Sequence, residues 1–269
     1  MFPFFSKTTP EVLYALRMER TAIVTGASSG IGRATTARLS RDGFAVLAVG
    51  RDLSALERLC REIVLAGGRA EPCAVDVTAA DGPRSIVAAA VDRLGGVDAL
   101  VNGAGVIATG GVADTTDEGW DAMMDLNVRA PFRLIREAAA PLIERRGAVV
   151  NISSVAGLRA FPGIASYAVS KAAVDQLTRV AALDFAPKGV RVNAVNPGVV
   201  ITNLHRRGGM DAPKYAEFLE RSKTTHPLGR PGQPEEIADL IAYLISPAAG
   251  WITGETIAID GGRHLTCLR

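Results

Sequence analysis

The apolar run Ala22, Ile23 and Val24 stops at Thr25-Gly26-Ala27-Ser28-Ser29-Gly30-Ile31-Gly32. Glycine turns sharply at no steric cost, so this spacing predicts a strand that folds straight into a helix starting near Ile31. Such a helix start offers free amide groups and the positive end of a dipole, and Gly26, Ser28, Ser29, Gly30, Ile31 and Gly32 can therefore cradle a pyrophosphate. A strand, a glycine turn and a helix in that order commit the chain to a βαβ beginning.

The rest of the chain keeps that rhythm. Phe44 to Val49, Ala70 to Val75, Val97 to Val101, Gly147 to Val150, Val190 to Val195 and Glu255 to Ile259 read as strands. Between the earlier ones, Leu53, Leu56, Leu59, Cys60, Ile63 and Val64 recur at helical spacing and read as core, and Ile86, Val87, Ala90, Val91 and Leu94 read as a second helix. Strands alternating with helices imply a parallel, doubly wound α/β sheet. A chain of 269 residues, 48% hydrophobic and 22% charged, suits one sizeable core. No repeat or linker divides it.

A second stretch supplies chemistry. Asn151 to Lys171 passes from a strand through Ser153 and Ser154, loops over Pro162 and enters a helix at Ser166. Tyr167 and Lys171 share a helix face one turn apart. A fixed ammonium there favours phenolate and suits the tyrosine to general acid and base work. Ser154 offers a hydroxyl for a carbonyl oxygen, with Ser153 as its local rival.

The spacing T-G-x-x-x-G-x-G, followed downstream by Tyr167-x-x-x-Lys171, resembles the short-chain dehydrogenase/reductase superfamily over about Glu19 to Gly262. The resemblance implies a single doubly wound Rossmann domain over residues 18–269, with a substrate loop at about 200–230, preceded by an N-terminal extension over residues 1–17. It assigns Ser154, thirteen residues before the tyrosine, to orienting a carbonyl and Tyr167 to giving the proton. Lys171 lowers the tyrosine pKa and binds the nicotinamide ribose, and Asn127 holds a water that relays protons to Lys171. It also implies that Asp76 bonds the adenine amino group with Val77 beside it, and that Asn102, Gly103 and Ala104 hold sheet and cofactor together. Gly103 departs from the usual N-N-A-G. Pro197, Gly198, Val200 and Thr202 would bind the nicotinamide carboxamide.

The implied reaction is reversible hydride transfer between a nicotinamide and a carbonyl or secondary alcohol, with no metal, because tyrosine and serine polarise the oxygen. In this fold an acidic residue at the end of the second strand binds the ribose hydroxyls of NAD. Here Gly50 holds that place and Arg51 follows, which favours NADP(H) over NAD(H). Asp52 reads as a helix cap. The pattern looks most like 3-oxoacyl-acyl-carrier-protein reductases and related ketone reductases. The alternatives are an NAD-linked steroid, sugar or polyol dehydrogenase and a non-catalytic cofactor-binding regulator.

In the substrate loop, His205-Arg206-Arg207 reads as a charged rim, with an anionic substrate or a phosphopantetheine carrier as the alternative. Tyr215, Phe218 and Leu219 suggest a short amphipathic lid helix. Glu235 to Ile245 reads as a surface helix, and Arg129, Arg133 and Arg136 as a solvated or subunit-facing surface. Asp260-Gly261-Gly262 is a family-like ending that points to a homotetramer or homodimer. A net charge of +2 gives no basic field for nucleic acid. Three cysteines without metal-ligand spacing fit a reducing, cytoplasmic setting. Residues 1–17 lack the apolar run of a membrane span, and few basic residues make a mitochondrial signal unpersuasive.

Overall fold

The computed structural model describes residues 19–266. The extension over residues 1–17 and Cys267 lie outside them. In chain order the elements are β1 (Arg20–Thr25), α1 (Gly30–Arg41), β2 (Phe44–Gly50), α2 (Leu53–Leu65), β3 (Arg69–Ala74), α3 (Gly82–Leu94) and β4 (Ala99–Asn102). Then come α4 (Asp117–Met124), a π turn (Asp125–Arg129), α5 (Ala130–Glu137), α6 (Ala139–Arg145) and β5 (Ala148–Ile152). The last part holds α7 (Val155–Leu158), α8 (Ala165–Phe185), β6 (Arg191–Pro197), α9 (Leu204–Arg207), α10 (Ala212–Thr225), α11 (Pro234–Ile245) and β7 (Thr256–Ile259).

All strand pairs are parallel, in the order β3-β2-β1-β4-β5-β6-β7. The order reverses between β1 and β4, and a doubly wound sheet opens its ligand crevice at that point, beyond the carboxyl ends of the strands. Alternation along each strand divides the core in two. Val24, Val46, Val101 and Val150 face one layer with Leu39, Leu56, Leu59, Ile237 and Ile241. Ile23, Leu47, Leu100 and Val149 face the other with Ile86, Leu94, Leu134 and Leu142. One domain results, with helices on both faces.

Local chemistry sets the boundaries. Asp52 caps α2 by accepting the Ala55 amide at 3.0 Å, as its position suggested. Gly95, with φ of 86°, ends α3. The expected surface helix is corrected: α11 buries Ile237, Ala238, Ile241, Ala242, Leu244 and Ile245 in the core beside α1, because its apolar residues cover more than one stripe. Leu53 and Val64 of α2, expected in the core, turn outward and are exposed, as is Val91 of α3. Arg133 is half-buried, donating to the Ala79 carbonyl at 3.1 Å and to that of Ala80, whereas Arg129 and Arg136 are exposed.

Candidate active site

The glycine turn forms as its sequence requires. Gly26 has φ of 71°, and a Cβ there would stand 2.6 Å from the Gly103 carbonyl oxygen; one on Gly32 would stand 2.3 Å from the Gly26 oxygen. Both neighbours are backbone, so no side chain can yield. The Thr25 hydroxyl accepts the amides of Gly103 and Ala104 at 3.0 and 3.1 Å, which stitches β1 to the loop after β4. A Cβ on Gly103 would lie 2.7 Å from the Thr25 oxygen, so glycine here lets the two loops close against each other.

From this turn a cavity of about 1140 Å³ runs along the carboxyl ends of the strands. Gly26, Ser28, Ser29, Gly30, Ile31, Gly32, Arg51, Asp76, Val77, Gly103 and Ala104 line it, as do Ser154, Tyr167, Lys171, Pro197, Gly198, Val200 and Thr202. Asn102 and Asn127 stand behind its wall. Asn102 is buried between strands, donating to Asn151 Oδ1 at 2.8 Å, and Asn151 donates to Thr178 Oγ1 at 2.9 Å, so this asparagine joins β4, β5 and α8.

Asn127 sits in the π turn. Its Oδ1 accepts the Val106 amide at 3.1 Å, and its Nδ2 donates to the Val106 carbonyl and to Ser170 Oγ, each at 3.0 Å. The extra residue of a π turn re-aims a side chain that a regular helix would point elsewhere. A Cβ on Gly105 would lie 3.2 Å from Asn127 Oδ1 and 3.7 Å from Lys171 Nζ, so both groups border the same small space.

Tyr167, Lys171 and Ser154 are all buried in the cavity wall. The tyrosine helix is placed by Gly163, with φ of 77°, and by the Ala165 amide, which donates to the Gly110 carbonyl at 2.9 Å. Lys171 Nζ donates to the Ile152 carbonyl at 2.8 Å and lies 5.8 Å from the centre of the Tyr167 ring. Burial pushes the Tyr167 phenol above its ordinary value, opposed by the Ser154 hydroxyl. Burial also brings the Lys171 ammonium down to about 8, with Asp175 opposing it. The phenol is thus raised by burial, not lowered as expected from the lysine, and the same burial weakens the lysine as a charge.

Ser153 and Ser154 diverge. The Ser153 hydroxyl donates to the Lys171 carbonyl at 3.1 Å, whereas Ser154 caps α7, its Oγ accepting the Ala156 amide at 3.1 Å, and turns to Tyr167. Three partners were not legible in the sequence. Asp175 is buried one turn beyond Lys171 and accepts from Asn196 Nδ2 at 3.1 and 2.9 Å, while the same amide donates to the Ser154 carbonyl at 2.9 Å. The carboxylate thus lies beneath both the lysine and the serine; its repeat of the Tyr167–Lys171 interval was the available signal. The third, His226, accepts the Val199 amide on Nε2 at 3.1 Å and faces the Ser222 carbonyl with Nδ1 at 2.7 Å, pinning the Pro197–Val200 loop.

At the other end, β2 finishes on Gly50, Asp52 is spent on its cap, and Arg51 is well exposed. Asp76 accepts the Thr78 amide and hydroxyl at 2.9 and 2.7 Å, and its other oxygen lies 3.9 Å from Arg51 Nη1. Those two hydrogen bonds, with Arg51 helping, hold its carboxyl below the usual range. Asp76 thus closes a local turn on Thr78 while lining the cavity, and the cap of α3 falls to Asp81.

A family model described as Enoyl-(Acyl carrier protein) reductase matches residues 26–264. The chain belongs to the short-chain dehydrogenase/reductase superfamily, oxidoreductases that act on CH–OH or carbonyl groups with NAD(P)(H). Among its relatives, a 3-oxoacyl-[acyl-carrier-protein] reductase of Thermotoga maritima is 35% identical over 92% of this chain and 99% of its own. A cyclohexanol dehydrogenase of Acinetobacter is 36% identical over 90% of this chain and 94% of its own. In structure, a short-chain dehydrogenase/reductase of unknown function from Caenorhabditis elegans, solved with cofactor, has a TM-score of 0.86 at 34% identity, covering 93% of this chain and 96% of that one. No helix among the described residues is long and apolar enough to cross a membrane.

Proposed function

We propose that this protein is an NADP(H)-dependent ketoreductase, interconverting a ketone and a secondary alcohol, of the 3-oxoacyl thioester or related ketone type. The observation that carries this reading is the meeting of Ser154, Tyr167 and Lys171 on the cavity that begins at the glycine turn. The glycine cradle fits a dinucleotide: its backbone leaves no room for a Cβ, and the start of α1 points amides at the same cavity. When bound, the reduced nicotinamide supplies the hydride. The chain does the rest. Ser154 orients the carbonyl oxygen, Tyr167 gives it a proton as charge develops, and Lys171, with Asn127 behind it, returns a proton toward the tyrosine from solvent. Thr202 stands by the turn, a Cβ on Gly30 falling 3.1 Å from its methyl, which supports a role for the segment from Pro197 to Thr202 in holding the dinucleotide.

Gly50 and the exposed Arg51 support NADP(H), since a 2′-phosphate meets a guanidinium where an acid would repel it. One observation favours NAD(H): Asp76 partly neutralises Arg51. Such an enzyme would oxidise an alcohol, as the name of the cyclohexanol dehydrogenase indicates for that relative. A homodimer or homotetramer is proposed on the edge strand β7 and the fully exposed Trp251 just before it. Intracellular placement is proposed on the free, buried Cys60 and Cys73. The test is oxidation of NADPH and of NADH against a 3-oxoacyl thioester, a diketone, a steroid and a sugar. Turnover with NADPH and a ketone supports the reading; turnover confined to NAD with alcohols establishes the second one. Ser154→Ala must cost more activity than Ser153→Ala, and the opposite order contradicts the assignment.

A further inference from the structure

The cavity carries a cationic wall on its β6–β7 side, opposite the Arg51 end, that neither a nicotinamide nor a neutral ketone requires. Arg221 of α10 and Arg263 of the turn after β7 both line it. Among the described residues neither makes an ion pair with a carboxylate. Of the carboxylates that line the cavity, Asp52 caps α2, Asp76 accepts from Thr78 and Asp125 is paired with Arg129. Asp260, the acid nearest Arg263 in sequence, is committed to the amides of Gly262 and His264, at 3.0 and 2.7 Å, and to the His264 ring at 2.9 Å.

Arg263 is held rather than loose. It is half-buried, donates to Thr225 Oγ1, and places its guanidinium carbon 5.0 Å from the centre of the Phe161 ring. Arg159 stacks on the same ring at 5.4 Å and donates to the Arg263 carbonyl at 3.1 Å. Burial and the like charges of Arg159 and Arg221 both disfavour the Arg263 cation, and Asp260 only partly offsets them. Like charges gathered on a low-dielectric wall raise the local concentration of an opposite charge. Phe161 packs with Tyr167 and Met123, so the cationic wall and the phenol belong to one pocket. His205 lines the cavity too, its ring 4.5 Å from that of Phe218, and its buried Nδ1 has no hydrogen-bond partner in the protein. A buried polar atom without a partner marks a place where a ligand can complete the bonding.

We propose that the substrate carries its own carboxylate, or a comparably small oxyanion, seated on Arg221 and Arg263 while its carbonyl lies at Ser154 and Tyr167. The ligand class is a keto acid, or a hydroxy acid in the reverse direction, with a carbon spacer resting against Phe161. The proposal rests on the ketoreductase reading but is tested without it. Keto acids of graded chain length and their methyl esters are titrated by calorimetry into the wild type and into Arg221→Ala and Arg263→Gln, with and without NADP⁺. Turnover of the same compounds with NADPH is followed in parallel. The best acid binds the wild type about tenfold or more tightly than its ester, the ratio falls toward one in both variants, and high salt erodes it.

Equal affinity for acid and ester in the wild type overturns the oxyanion site, whatever the turnover. A ratio undiminished in both variants overturns it as well. Tight, arginine-dependent binding of the acids without reduction of any compound leaves the site standing and removes the ketoreductase reading. A further arm compares a 3-oxoacyl pantetheine thioester with its 4′-phosphorylated form. An arginine-dependent gain from that phosphate, with none from the keto acids, replaces the proposal with recognition of a prosthetic arm.

Discussion

Lys171 shows at the residue scale how much chemistry a spacing conveys and where it stops. The interval from Tyr167 put both groups on one helix face, and the structure brings them together in the cavity wall. Burial, which spacing does not report, brings the lysine down from 10.5 to about 8. Between those values the unfolded chain holds a proton that the folded chain has released, so stability rises with pH across that window. Below pH 8 the penalty is about 3 kcal/mol. Lys171→Met removes it but takes the ammonium donor from the buried Ile152 carbonyl, a loss of about 1–3 kcal/mol that largely offsets the gain at pH 7. The variant should therefore lose the rise in stability between pH 8 and pH 10 while turnover collapses. Chemical denaturation at pH 7 and pH 10 measures this, and an unchanged pH slope contradicts it. Asp175 went unread for a related reason: an acid on a helix reads as solvated until tertiary packing buries it. Asp175→Asn should alter the pH profile of turnover more than the affinity for cofactor, since the carboxylate lies beneath Lys171 and Ser154.

Among the elements, those built on glycine were the most legible. The turn from β1 to α1 follows from steric rules alone, and its consequence is testable. Gly26→Ala combines a φ of 71° with a Cβ 2.6 Å from the Gly103 carbonyl. It should cost about 2 kcal/mol or more and abolish cofactor binding, as read by thermal unfolding and fluorescence titration. Gly105→Ala lacks that strain. Its methyl enters the space between Asn127 and Lys171, so turnover should fall about tenfold or more while the melting temperature changes little. Unchanged turnover contradicts a proton path there. The helix α11 was misread because apolar residues on more than one stripe resemble a surface helix with stray hydrophobics until α1 is seen against it. The helix α10 was legible from Tyr215 and Phe218; its anchor, the Tyr215 hydroxyl donating to the Thr202 carbonyl at 2.8 Å, was not. The role of His226 depends on Val199, which is distant in sequence.

For the whole molecule, the rhythm of strands and helices was enough to specify a parallel, doubly wound sheet, because the inner strands β2, β1, β4 and β5 are too apolar to face water on either side. The cavity was legible only at its two ends. Arg159, Arg221 and Arg263 meet through the return of the chain after β7, and no local pattern announces that meeting. Cofactor choice is also a property of the assembled cavity. At a hundredfold excess over its dissociation constant, NADPH should stabilise the protein by about 2.7 kcal/mol, and NADH at the same concentration by about half of that or less. Thermal shift reads the difference, and equal shifts contradict a site built around Arg51. The central claim, that Tyr167 gives a proton to a ketone at the end of an NADPH site, is tested most directly by ketone-dependent NADPH oxidation in the wild type and in Tyr167→Phe. The expected result is a loss of about a hundredfold or more in the variant with the NADPH dissociation constant retained. Equal rates in the two proteins would show that the phenol is not the acid.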